Sequence, residues 1–213
     1  MYRPDRNSYD TLPRAITSPN CGDSRDTDIF ARSFSKGRIF LTGEITMNKA
    51  VRFMAVMAVL SDEKRDAEII INSSGGEVAA GLLIYDIIRS YPCGITMYCA
   101  GAAESIAAVI FASGKKGRRF MLPFSTVMIH APVMSINGID ASAECLCETA
   151  RSIVETRTLL NGILAKHTGR TAEEIEEAAK KDFRMNARQA EEFGISDGIK
   201  SIFSDKKLEW KTS

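Results

Sequence analysis

The sequence predicts an α/β protein whose largely parallel sheet is assembled from repeated β-α-β units, and two junctions carry that prediction. Glu68-Ile69-Ile70-Ile71-Asn72 is a continuous apolar strand that runs into Ser73-Ser74-Gly75-Gly76 and then a helix from about Val78 to Ser90. Gly94-Ile95-Thr96-Met97-Tyr98-Cys99 reads as a second buried strand, followed by a glycine turn at Gly101 and an apolar helix from Ile106 to Ala112, ended by Gly114. Strands that are apolar on both faces are those covered by helices on both sides. Strand, turn and helix repeated in succession require right-handed crossovers between parallel strands. In such sheets the functional turns gather at the carboxyl ends of the strands, so Gly76 and Ser105 are expected to face one pocket.

Composition bounds the rest. With 213 residues, 45% of them hydrophobic, the chain has enough apolar surface for one sizeable core. A net charge of +1 asks for neither nucleic acid nor an acidic membrane surface. Five cysteines, an odd number, fit a reducing compartment better than a disulfide framework. Cys145 and Cys147 stand two apart with no second Cys/His pair nearby, a poor spacing for zinc. The sequence has no apolar run long enough to span a bilayer, and its beginning is polar rather than signal-like. The expectation is a soluble, cytoplasmic protein with no metal.

Taken in order, residues 1–28 are polar, carry Pro4, Pro13 and Pro19, and form an arm outside the single domain expected over 29–213. A short amphipathic segment, Asp28 to Phe34, precedes a strand at Arg38 to Gly43. Asn48 is placed to cap a helix whose apolar face is read through Val51, Met54, Ala55, Ala58 and Val59. Arg118 to Pro123 and Thr126 to His130 are two short strands around a proline turn, and Lys115, Lys116, Arg118 and Arg119 form a basic cluster read as a solvated turn. Residues 140–166 make a helix apolar at Ile153, Leu160, Ile163 and Leu164, longer than the sheet needs, which predicts an element projecting toward another subunit. Thr171 with Glu174, and Asn186 with Gln189, open the last two helices as capping boxes, and Gly194 stops the second.

Chemistry centres on Ser105, which stands between a strand and a helix. A serine there is most often a backbone cap. The same position is also a place where free amides and the helix dipole favour a developing anion, with Ile106 N–H as an oxyanion donor. A base for Ser105 must come from two histidines. His167 lies in the last turn of the long helix, where an imidazolium complements the dipole. His130, closing its strand before Ala131-Pro132, is the better base.

Gly101 to Ala108, Met128-Ile129-His130-Ala131-Pro132, His167-Thr168-Gly169 and Asp182-Phe183-Arg184-Met185-Asn186-Ala187, in that order, resemble the proteolytic subunit of the Clp protease, a serine peptidase family on a crotonase-like fold. The likeness runs from about Asp28 to Phe203. It implies Ser105 as nucleophile, His130 as general base, Asp182 as the orienting carboxylate, and the amides of Gly76 and Ile106 as the oxyanion hole. Met134 and Ser135 fall on the strand that binds the peptide. The family implies stacked seven-membered rings joined by the projecting helix at about 140–166, fed with unfolded polypeptide by a ring-shaped AAA+ Clp ATPase, and no cofactor for hydrolysis. ATP belongs to that partner. The rings are either homo-oligomers or mixed with a second proteolytic subunit, in which case the chain works chiefly as a scaffold. A crotonase-type acyl-CoA enzyme is the other class open on this fold.

Against the family pattern, Ser74 replaces a usual proline, Ala107 a glycine, Ala131 a glutamine, and Met134-Ser135 paired glycines. Lys180 and Lys181 stand where acidic and arginine residues join ring-to-ring pairing. Glu104 replaces a small neutral residue beside the nucleophile. Facing the pocket, its carboxylate would favour the His130 imidazolium and oppose the oxyanion, so Glu104→Ala would raise activity. Paired with a basic neighbour, it would do little.

Overall fold

The computed structural model describes residues 29–133 and 143–203. The arm expected at 1–28, Met134 and Ser135, expected on the peptide-binding strand, and the expected start of the long helix at 140–142 all fall outside the described residues. Along the chain run α1 (Ile29–Phe34), β1 (Arg38–Thr42), α2 (Met47–Asp62), β2 (Ala67–Ser73), α3 (Val78–Ser90), β3 (Ile95–Glu104), α4 (Ile106–Ala112), β4 (Arg119–Met121), β5 (Thr126–Ile129), α5 (Ala143–Thr168), α6 (Ala172–Ala178), β6 (Phe183–Asn186) and α7 (Ala187–Phe193). The sheet order is β1-β2-β3-β5-β6, with β4 also on β3. Every pairing is parallel except β5 with β6, so the sheet is mixed rather than wholly parallel.

β3 explains how one strand serves both halves of the sheet. Its first half, Met97 to Cys99, pairs with β4, and its second, Ala102 to Glu104, pairs with β5. At the change of partner the ladder lapses and side chains take over. Ser125 Oγ accepts from the Gly101 amide and donates to the Cys99 carbonyl, both at 2.9 Å, and Asn72 Oδ1 accepts from the Ala102 amide at 3.1 Å. The backbone groups that leave the ladder there thereby keep partners. Gly101 therefore lies inside a ten-residue strand, not in the turn expected before Ser105.

The core gathers between the sheet and its helices. All seven residues of α4 are buried, with Ile69, Ile71, Met97 and Val127 from the sheet and Leu160, Ile163 and Leu164 from α5 in the same cluster. Every buried residue of α5 lies in its second half, which docks on the core; from Glu144 to Ser152 it is mostly exposed. The helix reaches Thr168, two residues past the expected end.

Two expectations about side chains reverse. Thr46, not Asn48, caps α2 by accepting from the Lys49 amide, and the helix buries Ala50, Phe53, Met57 and Leu60. Val51, Met54, Ala55, Ala58 and Val59, read as its inner face, are exposed. Arg119 is no solvated cation: it is 1% exposed and forks onto Asp197 with hydrogen bonds of 2.9 and 2.6 Å. Burial alone would push Asp197 up, but the hydrogen bonds and charge of Arg119 hold its carboxyl below the ordinary value. Both capping boxes form, at Thr171 and at Asn186, and Gly194 ends α7 in the left-handed conformation.

Candidate active site

Ser105 occupies the single residue between β3 and α4, with φ 56° and ψ −126° and no capping hydrogen bond from its side chain. A non-glycine residue at positive φ costs about 1–3 kcal/mol and persists only where its surroundings impose it. The imposing groups are the Met128 carbonyl, which accepts the Ser105 amide at 2.8 Å, and the first turn of α4, whose Ala108 amide bonds to the Ser105 carbonyl at 3.0 Å. The hydroxyl is thereby freed from capping and turned to His130, with Oγ to Nε2 at 2.8 Å.

His130 follows β5 directly, and the adjacent Ala131 amide bonds to the Ala179 carbonyl at 2.8 Å. Its other nitrogen, Nδ1, lies 3.6 Å from Asp182 Oδ1. That separation is too long for a hydrogen bond, and it is an ion pair only in a state where the imidazole carries a proton on both nitrogens. Asp182, in the short link between α6 and β6, is 60% exposed.

The turn after β2 reaches the same place. Ile45 donates to the Gly75 carbonyl and accepts from the Glu77 amide, both at 2.8 Å, which pins Gly76 against it. A side chain at Gly76 would run into the Ile45 carbonyl, and its φ of 150° suits glycine. A side chain on Gly75 would strike Ser105 itself, so the two junctions are packed together. Among the described residues the amides of Gly76 and Ile106 form no hydrogen bond. Gly76, Ser105, Ile106 and His130 line one cavity of about 190 Å³, closed by Val78, Val109, Ile129, Pro132, Leu160 and Leu164. Asn161, on α5 and 7% exposed, and Ser74 add polar groups to that wall.

His167 lies elsewhere. Its Nε2 is 3.1 Å from the Tyr85 hydroxyl, and burial, with Arg89, Arg119 and Lys166 nearby, pushes the imidazole down to about 4. It is neutral at pH 7, not the dipole-complementing imidazolium expected. Among the described residues no cluster of three or more His, Cys, Asp or Glu is disposed to hold a metal ion.

With that geometry in place, comparison with known families is decisive: a family model described as Clp protease matches residues 21–202. The chain belongs to the Clp protease family. Its α/β architecture with a mixed sheet is the one the resemblance implies. Membership makes the chain a Clp-type peptidase, and the Clp protease family generally works with Clp ATPases in rings. No helix among the described residues is long and apolar enough to cross a membrane.

Sequence reasoning missed several residues around this cavity. Ser125 and Asn72, which shape the end of β3, had no signal beyond being small and polar. Asn161 sat unremarked in a helical period. Arg184 was seen only as a letter of a motif, yet it pairs with Glu104 across the sheet. Glu104 therefore follows the second of its two readings, in which a basic neighbour takes the carboxylate.

Proposed function

We propose that this chain is the proteolytic subunit of an ATP-dependent Clp protease and cleaves peptide bonds of unfolded polypeptides with Ser105, His130 and Asp182. The observation that carries the reading is the 2.8 Å contact between Ser105 Oγ and His130 Nε2, at a strained junction beside two amides that form no hydrogen bond among the described residues. His130 Nε2 takes the hydroxyl proton as Oγ bonds to the scissile carbonyl carbon, and the carbonyl π pair becomes an oxyanion met by the Gly76 and Ile106 N–H groups. The imidazolium gives its proton to the departing amine nitrogen as the C–N bond breaks. Water, deprotonated by the same imidazole, then bonds to the acyl carbon, the C–Oγ bond breaks, and the imidazolium returns its proton to Ser105 Oγ. Asp182 favours the tautomer with its proton on Nδ1 and stabilises the imidazolium. The apolar cavity wall suits an apolar substrate side chain next to the cleaved bond.

The ring assembly, two stacked heptamers joined through α5 and fed by an AAA+ ATPase, belongs to the same proposal. The exposed apolar residues Val51, Met54 and Val59 on α2 and Leu146, Val154 and Leu159 on α5 support it, since such faces on a monomer mark contact surfaces. Among the described residues Cys93, Cys99 and Cys147 form no disulfide, which suits the cytoplasm. A second reading, a subunit active chiefly in mixed rings, draws on the loose 3.6 Å approach of Asp182. That contact could tighten on assembly.

The test is hydrolysis of a short fluorogenic peptide with Ser105→Ala as control. We expect activity to fall by about 10³-fold or more in the variant. A fluorophosphonate should label Ser105, with peptide but not acyl-CoA as competitor. Labelling with activity only after mixing with a second subunit favours the scaffold reading; no labelling in any assembly removes the serine mechanism.

A further inference from the structure

The carboxylate of Asp182 is held by little. It is 60% exposed, and its Oδ1 stops 3.6 Å from His130 Nδ1. Its other oxygen, Oδ2, lies 4.0 Å from Arg184 Nη2, and the second nitrogen of that guanidinium, Nη1, bonds to Glu104 Oε1. Register makes this connection unavoidable. Glu104 on β3 is level with Met128 on β5, and Met128 is level with Arg184 on β6. Residues level across a sheet share a face, so Glu104 and Arg184 flank Met128 two strand spacings apart, about 10 Å, a span their long side chains close. Glu104 is the residue before the nucleophile, with only 17% of its side chain exposed.

We infer that Arg184 is a positioning residue of the peptidase, anchored by Glu104 so that its guanidinium shares Asp182 with His130 without capturing it. The inference rests on the Ser105–His130–Asp182 mechanism proposed above. Among the described residues the charges chained to His130 are Asp182, in contact with it from the link after α6, Arg184 of β6, which reaches Asp182, and Glu104 of β3, which is bonded to Arg184. Lys180 on that link is engaged with Glu177, and Lys181 is exposed. The cavity residues from α5, Leu160, Asn161 and Leu164, and from the turn after β2, Ser74 and Gly76, carry no charge.

This arrangement gives opposite consequences for its two ends. Without Glu104 the guanidinium loses its anchor and takes Asp182 as its counter-ion, drawing it from Nδ1. Activity then falls, where an unpaired Glu104 facing the pocket would have made its removal beneficial. The nearby charge also becomes more positive, which disfavours the imidazolium. Without Arg184 neither Asp182, in contact with the imidazole, nor Glu104, one link further along the chain of charges, is compensated, and the added negative charge favours the imidazolium.

The experiment measures kcat, KM and the acid limb of kcat/KM on a short fluorogenic peptide, using the full-length chain in its active assembly, for Arg184→Met, Arg184→Lys, Glu104→Gln and the double variant Glu104→Gln/Arg184→Met. Arg184→Met is expected to lose about 10- to 100-fold in kcat, with KM little changed. Its acid limb should move to higher pH by about half a unit. Glu104→Gln should lose several-fold in kcat and move the limb to lower pH. Arg184→Lys should recover part of the loss, and the double variant should bring the limb back near its original place while kcat stays low. A purely structural pair would lower Tm and activity together and leave the limb unmoved; limbs that stay put, or shift in the same direction in both single variants, overturn the inference. Fluorophosphonate labelling of the unmodified chain separates the two levels of failure. Labelled Ser105 with unmoved limbs removes only the clamp, and an unlabelled, inactive chain removes the mechanism and the clamp with it.

Discussion

Gly75-Gly76, between β2 and α3, and Ser105, between β3 and α4, end neighbouring parallel strands and touch one another, yet their backbones are held in different ways. Gly75 and Gly76 sit at φ 97° and 150°, where glycine pays almost nothing, and hydrogen bonds to Ile45 lock them. Ser105 sits at φ 56°, where a side chain is strained, and is locked by the Met128 carbonyl and the start of α4. One junction presents bare backbone to the cavity; the other presents a side chain that the helix cap does not use. Equal topology thus yields unequal chemistry, because the residue at the turn decides whether an amide or a hydroxyl reaches the cavity.

The largest effect expected from breaking this contrast comes from Ser105→Gly. It removes the hydroxyl, so peptidase activity should fall by about 10⁴-fold or more. It also relieves about 1–3 kcal/mol of strain against about 0.5–1 kcal/mol of added chain entropy. The inactive protein should therefore be more stable, by roughly 1 kcal/mol in chemical denaturation. An unchanged or lowered stability would mean that Ser105 is not strained.

Gly76→Ala attacks the other junction and should damage both quantities. We expect about 10²–10³-fold lower kcat/KM from a displaced oxyanion donor, together with about 1–3 kcal/mol of lost stability. Retained activity would show that this turn contributes only packing.

Ser125→Ala tests how β3 delivers Ser105. It removes the hydroxyl shared by the Gly101 amide and the Cys99 carbonyl. The carbonyl keeps the Leu122 amide at 2.9 Å and Gly101 is exposed, so the expected stability loss is about 1 kcal/mol, with kcat lowered several-fold and Gly76 left in place. Tm and kcat measured together check this, since a Tm loss without a kcat change would uncouple the bend from the nucleophile.

The smallest effect is a control remote from both junctions. The His167 imidazole titrates near 4 in the folded chain against about 6.5 when unfolded, so between those values the unfolded chain binds more protons. Its contribution is complete above about 6.5 and is lost as pH falls toward 4. Tm should therefore decline with acid more gently in His167→Gln than in the unmodified protein, with kcat/KM at pH 8 unaffected.

Much of the architecture was legible because it is local. Capping boxes at Thr171 and Asn186 join groups three residues apart, the span of α3 is bounded by its own glycines and prolines, and the apolar strand β2 announces a sheet covered on both faces. The inner face of α2 was not legible. That helix carries apolar residues around much of its circumference, so its period fits either Ala50, Phe53, Met57 and Leu60 or Val51, Met54, Ala55 and Val59, and only docking chose the first set. Arg119 looked like its cationic neighbours, and what buries it is Asp197, 78 residues on.

The amino-acid order by itself determined the succession of strands and helices, that the sheet is mostly parallel, and that a glycine pair and a serine follow successive strands, since these follow from hydrogen bonds and periods within a few residues. Only the tertiary structure decided that β3 changes partners at Gly101, that Ser105 gives its hydroxyl to His130 instead of a helix cap, and that Glu104 reaches Arg184. Those outcomes depend on register between strands distant in the chain. A shift of one residue would turn each of these side chains to the opposite face.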